Sequence, residues 1–172
     1  MNPAPEGTVV LRSGDRVLIR PIRPGDKAGL QEGLDHMTLE SRYRRFFSPL
    51  RELSGRQLRY LTEVDHRTHE ALVAIDLDSG DGIGVARFIR WTNDPTAAEA
   101  AVAVVDDWQG RGVGTALAQA LMQRRPAAVR RLYTEVGADN LASLALLAKA
   151  GRVSSGVAHR GVVDVTVELD AA

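Results

Sequence analysis

Apolar and polar positions along this chain switch several times between a period of two and a helical spacing. In "GVVDVTVEL", Val163, Val165, Val167 and Leu169 fall on one face and Asp164, Thr166 and Glu168 on the other, the pattern of a half-buried strand. With "RVSSGVA" before it and His159-Arg-Gly161 as the turn, it forms a closing hairpin. The chain also opens on a hairpin: "TVVLRSGDRVLIRPI" carries two β-rich runs around Ser13-Gly14-Asp15. Pro24 and Gly25 end it, and a helix runs from Asp26 to about Leu34. "TLESRYRRFF" is a second helix, and Ser54 with Gln57 caps a third over Leu58 and Leu61. Three extended segments follow, "HEALVAIDL", "GIGVARFIRW" and "AAEAAVAVV", with turns at Asp78–Gly82 and Asn93–Pro95. A glycine-rich stretch then enters a helix with Leu117, Leu121 and Met122 on one side, which Pro126 terminates or kinks. "RRLYTEV" is a strand, and Asn140 to Ala150 a helix with Gly151 as its C′ residue. Strands and helices alternating in this way make an α+β domain with a mixed, mostly antiparallel sheet and helices on both faces.

Composition narrows the class. A chain of 172 residues suits one domain, and 44% apolar residues can build a core. We expect a tail at residues 1–8 and one domain over 9–170. Zero formal net charge gives no pointer to nucleic acid or to an anionic membrane. Cysteine is absent, which removes disulfides, thiol nucleophiles and thiolate metal sites and fits a reducing cytoplasm. The N-terminal "MNPAPEGTVV" lacks the features of a signal peptide, and no apolar run is long enough to span a bilayer. His36, His66, His69 and His159 are scattered, so no metal is expected.

The candidate chemistry lies in "DDWQGRGVGTALAQAL", where Gly110, Gly112 and Gly114 precede a helix. A phosphate loop of the Walker type would end in Gly-Lys-Ser/Thr, and here no lysine follows. A dinucleotide fingerprint needs G-x-G-x-x-G, and here the spacing is G-x-G-x-G. The physical principle remains: amides at a helix start are unpaired, the helix dipole is positive there, and glycine lets an anion approach the backbone.

The motif Gln109-Gly110-Arg111-Gly112-Val113-Gly114 resembles the acetyl-CoA loop, Gln/Arg-x-x-Gly-x-Gly/Ala, of the GNAT-superfamily N-acetyltransferases. The resemblance covers about residues 8–169. The strings "RPIRPGD", "ESRYRRFFSP", "VDHRTHEALVA" and "DDWQGRGVGTAL" are most similar to the catalytic domains of bacterial protein lysine acetyltransferases. It implies the GNAT fold, with a sheet of about seven strands, and transfer of an acetyl group from acetyl-CoA to a primary amine, a protein lysine or a small molecule. Gly110 through Thr115, that is Gly110, Arg111, Gly112, Val113, Gly114 and Thr115, with Gln109, would meet the pyrophosphate. Val102, Ala103 and Val104 would line the pantetheine arm, with the Val104 backbone as oxyanion donor. Asn140 matches a cofactor-contacting asparagine, with a plain N-cap as the competing reading, and Ser143 faces the same way.

A primary amine must lose a proton before it attacks a thioester. Glu99, a lone acid in "AAEAAVAVV", is the first candidate base, expected to be partly desolvated with a raised pKa; related lysine acetyltransferases carry a glutamate there. Glu135 in "LYTEVGADN" is the alternative. Leu147 stands where many members have a tyrosine that protonates the leaving thiolate, and Arg152 where a phenylalanine is common. These departures keep open a second class of function, an acyl-CoA-binding sensor or interaction module without turnover. Some relatives carry a nucleotide-sensing domain ahead of the catalytic one; nothing of that size precedes Val9, so no such regulation is expected. A homodimer is left open. In "RYRRFF", Tyr43, Phe46 and Phe47 are expected to pack while Arg42, Arg44 and Arg45 reach solvent or the acceptor cleft. Arg124 or Arg125 is a candidate for the cofactor's 3′-phosphate, and Trp108 for a packing lid.

Overall fold

The computed structural model describes residues 7–48 and 50–170. One sheet organises them, with its strands in the spatial order β1-β2-β3-β4-β5-β6-β8-β7. These are β1 (Gly7–Val10), β2 (Arg16–Pro21), β3 (His69–Asp76), β4 (Gly82–Arg90), β5 (Ala97–Val104), β6 (Arg131–Gly137), β7 (Gly151–Ser155) and β8 (Val162–Leu169). The count is eight rather than about seven, because both terminal hairpins form in full. All pairings are antiparallel except β5 with β6. The helices are α1 (Lys27–Asp35), α2 (Leu39–Phe46), α3 (Gly55–Thr62), α4 (Val113–Gln123) and α5 (Leu141–Ala148).

Period-two alternation decides which side chains face which layer. On β4 and β5 the facing pairs Ala86↔Val102 and Phe88↔Ala100 lie on the side covered by α4. Leu117 and Leu121 of α4, both almost wholly buried, press on that side beside Phe88 and Val165. The intervening positions Val85, Arg87, Ala101 and Ala103 face the other layer, which α1, α2 and α3 cover.

Local chemistry explains the boundaries. Thr38 caps α2 by accepting from the Ser41 amide, and Ser54 and Gln57 form the expected capping box on α3. The closing hairpin turns at Arg160 and Gly161, whose φ values of 50° and 80° match a two-residue turn of mirror type. The reading of Gly151 as a helix C′ residue is corrected. Helix α5 ends at Ala148 with Lys149 as its C-cap, and Gly151 already pairs with Leu169 in the sheet. What requires glycine there is the Glu168 carbonyl, against which any Cβ would collide. Tyr43 is also corrected: it is exposed, touching Phe47 edge-on, while Arg42 turns back to donate to the carbonyls of Met37 and Arg51.

Candidate active site

Strands β5 and β6 run parallel and pair only over Ala97↔Arg131, Ala98↔Leu132 and Glu99↔Tyr133. Beyond Glu99 they part. The Val105 amide donates to the Ile83 carbonyl of the β4 side at 3.0 Å. Strand alternation therefore points the backbone groups of Ala103 and Ala101 toward β4, and those of Val104 and Val102 into the gap. The Val104 carbonyl confirms the direction, since it accepts from the Gln109 side chain at 3.1 Å rather than from β4. Among the described residues no strand pairs with β6's side of β5 past Glu99. The gap thus exposes a ladder of strand amides that a ligand could complete.

The glycine loop closes one end of this gap. Gly110 and Gly112 have φ of 74° and 100°, a left-handed conformation costly for any residue with a Cβ. Gly112 is the N-cap of α4, and no side chain caps the helix. In contrast α2, α3 and α5 are capped by Thr38, Ser54 and Asn140. The first amides of the eleven-residue α4 are consequently open to an anion, with the helix dipole behind them.

Loop, gap and α5 together line one groove of about 1060 Å³. Of the residues singled out for the cofactor, Val102, Ala103, Val104, Gln109, Gly110, Arg111, Gly112, Gly114, Thr115, Asn140 and Ser143 all border it. Val113 does not: its side chain is buried in the core, which leaves only its amide toward the loop. Asn140 does act as an N-cap, accepting from the Ser143 amide at 3.1 Å, while still bordering the groove. Gln109 is occupied by structural contacts to Val104, Asp106 and Ser41. Asp106 ties the loop to α2 by accepting from the Thr38 amide at 2.7 Å. Burial pushes its carboxyl up, but hydrogen bonds from Ser41 and Thr38 outweigh this and hold it below the usual range.

Several groove residues were not legible as such. Arg12 from the first hairpin, Arg44 from α2 and Lys149 from the end of α5 all reach it and make its rim cationic. Arg44 spans from Glu40 to Asp139, and Lys149 touches the Thr115 hydroxyl. Only the fold brings three such distant segments together. Trp108 borders the groove with the Arg111 guanidinium 4.7 Å above its ring. Arg124 and Arg125 are corrected as cofactor candidates. They follow the C-terminal end of α4, opposite the loop, where Arg124 pairs with the buried Glu70 and Arg125 donates to the Val129 and Asp170 carbonyls.

The two candidate bases sit differently from each other. Glu99 occupies the last paired position before the gap, on the face shared with Arg87 and Ala101. It is exposed, not desolvated as expected. Burial draws the Arg45 guanidinium of α2 below its ordinary range, and the charge of Glu99 partly opposes this. Glu135 is exposed on β6 opposite Asp164 of β8 and borders neither the groove nor the cavity beneath α1 and α2. Leu147 packs against the core, so no acid stands at its position. His66 bonds to Glu70 at 2.7 Å, and no group of three or more His, Asp or Glu able to hold a metal occurs among the described residues. No helix among them is long and apolar enough to cross a membrane.

Known proteins are similar to this chain in sequence and fold. The profile of the acetyltransferase (GNAT) family matches residues 36–151. The acetyltransferase Pat of Mycolicibacterium smegmatis is 36% identical over 146 residues, which cover 84% of this chain and 44% of that protein. The chain therefore spans less than half the length of Pat. The crystal structure of the GNAT domain of S. lividans PAT superposes with a TM-score of 0.81 at 31% identity, covering 98% of this chain and 100% of that one. The fold is also that of yncA from Salmonella typhimurium, solved with its cofactor acetyl-CoA, with a TM-score of 0.71 at 18% identity over 91% of this chain and 95% of that one. With the split strands, the uncapped helix and these likenesses in agreement, the chain belongs to the acetyltransferase (GNAT) family.

Proposed function

We propose that the chain transfers an acetyl group from acetyl-CoA to a primary amine, with a protein lysine as the favoured acceptor. The observation that carries this reading is the row of unpaired β5 amides running from Glu99 to the uncapped start of α4. The amides of Val113, Gly114 and Thr115 with those of the glycine loop hold the pyrophosphate. Val102 offers strand hydrogen bonds to the pantetheine arm, and the Val104 N–H, whose carbonyl is already held by Gln109, is the donor to the thioester oxygen as it becomes an oxyanion. Arg12, Arg44 and Lys149 supply long-range attraction for the phosphates. The lysine preference is supported by the likeness to Pat and to the S. lividans PAT domain, and by the strings shared with bacterial lysine acetyltransferases.

The amine arrives as an ammonium. Glu99, at the branch of the two strands, takes its first proton, directly or through the water its exposure admits. The neutral nitrogen attacks the acyl carbon, the C–N bond forms, and the C–S bond breaks. The second nitrogen proton ends on the CoA sulfur. Leu147 provides no donor for it, so it travels through solvent.

Thiol release measured with acetyl-CoA and a panel of amines and lysine peptides tests this reading. Glu99→Gln is expected to lower turnover by about 10²–10⁴-fold while CoA affinity stays within twofold or so. Tight CoA binding with no release for any acceptor would instead favour a binding module without turnover. An unimpaired Glu99→Gln enzyme would remove Glu99 from the mechanism.

A further inference from the structure

A second cavity, of about 190 Å³, lies beneath α1, α2 and α3. Met37, Arg45, Ala103 and Val104 border both it and the groove, so the two spaces meet where the thioester would hang. Leu30, Leu34, Phe46, Leu61 and Val73 give it apolar walls. An acetyl methyl would leave most of it empty, since an apolar cavity of about 150 Å³ already holds a benzene ring.

Cations stand among those walls. Arg87 is only 4% exposed. Its Nη1 donates to the Leu61 carbonyl at 3.3 Å and meets His69 Nε2 at 3.1 Å. Its Nε is buried without any partner. Burial, and then the charge of Arg87, pull His69 down to about 4, so it adds no charge near neutrality and can accept from Arg87. Arg45 lies over the Phe46 ring and has no carboxylate in hydrogen-bond contact among the described residues. Arg20 is matched by Asp26, which accepts two of its N–H groups at 2.8 and 2.7 Å. The ionic lining is thus three arginines against one aspartate. Glu99 acts on Arg45 from outside the lining. A buried guanidinium normally has a carboxylate partner, because an unpaired charge in an apolar setting is expensive.

We propose that this cavity receives a short chain ending in a carboxylate, which pairs with the Arg87 guanidinium. The proposal rests on the acyl-transfer reading of the groove and adds a substrate class to it. The carboxylate can belong to the acyl chain of the thioester or to the amine acceptor. Either way it stays unreacted: the C–N bond forms, the C–S bond breaks, and the nitrogen proton ends on the CoA sulfur.

Two arms separate the sources. Calorimetry on the full chain compares CoA, butyryl-CoA and succinyl-CoA, whose acyl chains are similar in length but differ in the terminal carboxylate. Initial rates with acetyl-CoA compare 5-aminopentanoate with 5-aminopentanamide. A donor carboxylate predicts succinyl-CoA at least about tenfold tighter than butyryl-CoA, as a charge-assisted pair implies, with no preference in the second arm. An acceptor carboxylate predicts the converse. Either preference must vanish in Arg87→Met and survive in part in Arg87→Lys, while CoA affinity is unchanged in both. Should Arg87→Met fail to fold, Arg45→Gln must reduce the preference severalfold. Equal values in both arms with CoA binding intact overturn the carboxylate site and leave the groove reading standing. Absence of CoA binding overturns the groove reading and this proposal with it.

Discussion

Replacing Gly114 by alanine should move stability and ligand affinity in opposite directions. Gly114 is the second residue of α4, and its φ is not in the left-handed region. A Cβ there would meet Val104 Cγ2 at 3.7 Å and Leu146 Cδ2 and Val102 Cγ1 at 3.8 Å, all ordinary contacts. The fold therefore accepts the methyl. Alanine in a helix is favoured over glycine by roughly 0.5–1 kcal/mol, and a first-turn position takes the lower end. At this chain length that raises Tm by roughly 1–2 °C. The same methyl points between β5 and α5, into the groove. It would hold an anion about 1.5 Å further from the helix amides, enough to break a hydrogen bond of ~2.9 Å. Losing one or two charge-assisted bonds at about 1.5–3 kcal/mol each, with some relaxation, weakens CoA binding by roughly 10- to 100-fold. Thermal unfolding without ligand and calorimetry with CoA measure the two effects separately. A variant that is as stable or more so, and yet binds CoA as tightly as the parent, would refute the close approach of phosphate to this glycine.

Two further outcomes follow from the structure. Gly151→Ala drives a Cβ into the Glu168 carbonyl, so β7 must shift from β8; a loss of about 2–4 kcal/mol in chemical unfolding is expected, and a change under 0.5 kcal/mol would contradict the packing. Stability should also fall with acid. His69 is held down to about 4 by burial and by Arg87, so the unfolded chain binds its proton first as pH drops. That contribution is complete above about 6.5 and is lost between there and about 4, amounting to roughly 1–2 kcal/mol after solvent screening. Asp26 and Asp106 add to the loss at lower pH, because hydrogen bonds from Arg20 and from Ser41 and Thr38 outweigh burial and keep both carboxyls low. A flat midpoint in denaturant between pH 7 and pH 4 would oppose this.

The sequence announces what is local. Alternation over Val163 to Leu169, the Ser54 capping box and the glycine spacing at 110, 112 and 114 each depend on a few neighbours, and each is found in the structure. What depends on pairing between distant segments was not legible. The parting of β5 from β6 after Glu99 is set by register between strands more than thirty residues apart, and no residue type marks it. Glu99 looked buried because its neighbours are alanine and valine, yet it ends on the exposed side of the branch. Gly151 follows a helix closely enough to suggest a cap, but a facing strand imposes its requirement. Arg45, expected to reach solvent or the acceptor cleft, lines the cavity beneath the helices, and no local pattern marks Arg87 as the buried charge beside it.

Hydrogen exchange resolved to single amides, with and without CoA, tests the central claim most directly. Added CoA should slow exchange at Val102, Val104 and the Val113–Thr115 amides, and leave Ala101 and Ala103, already paired to β4, as they were. Unchanged exchange at Val102, Val104 and the start of α4, under ligand concentrations that saturate the protein, would mean that the split strands and the glycine loop are not where this molecule holds its thioester.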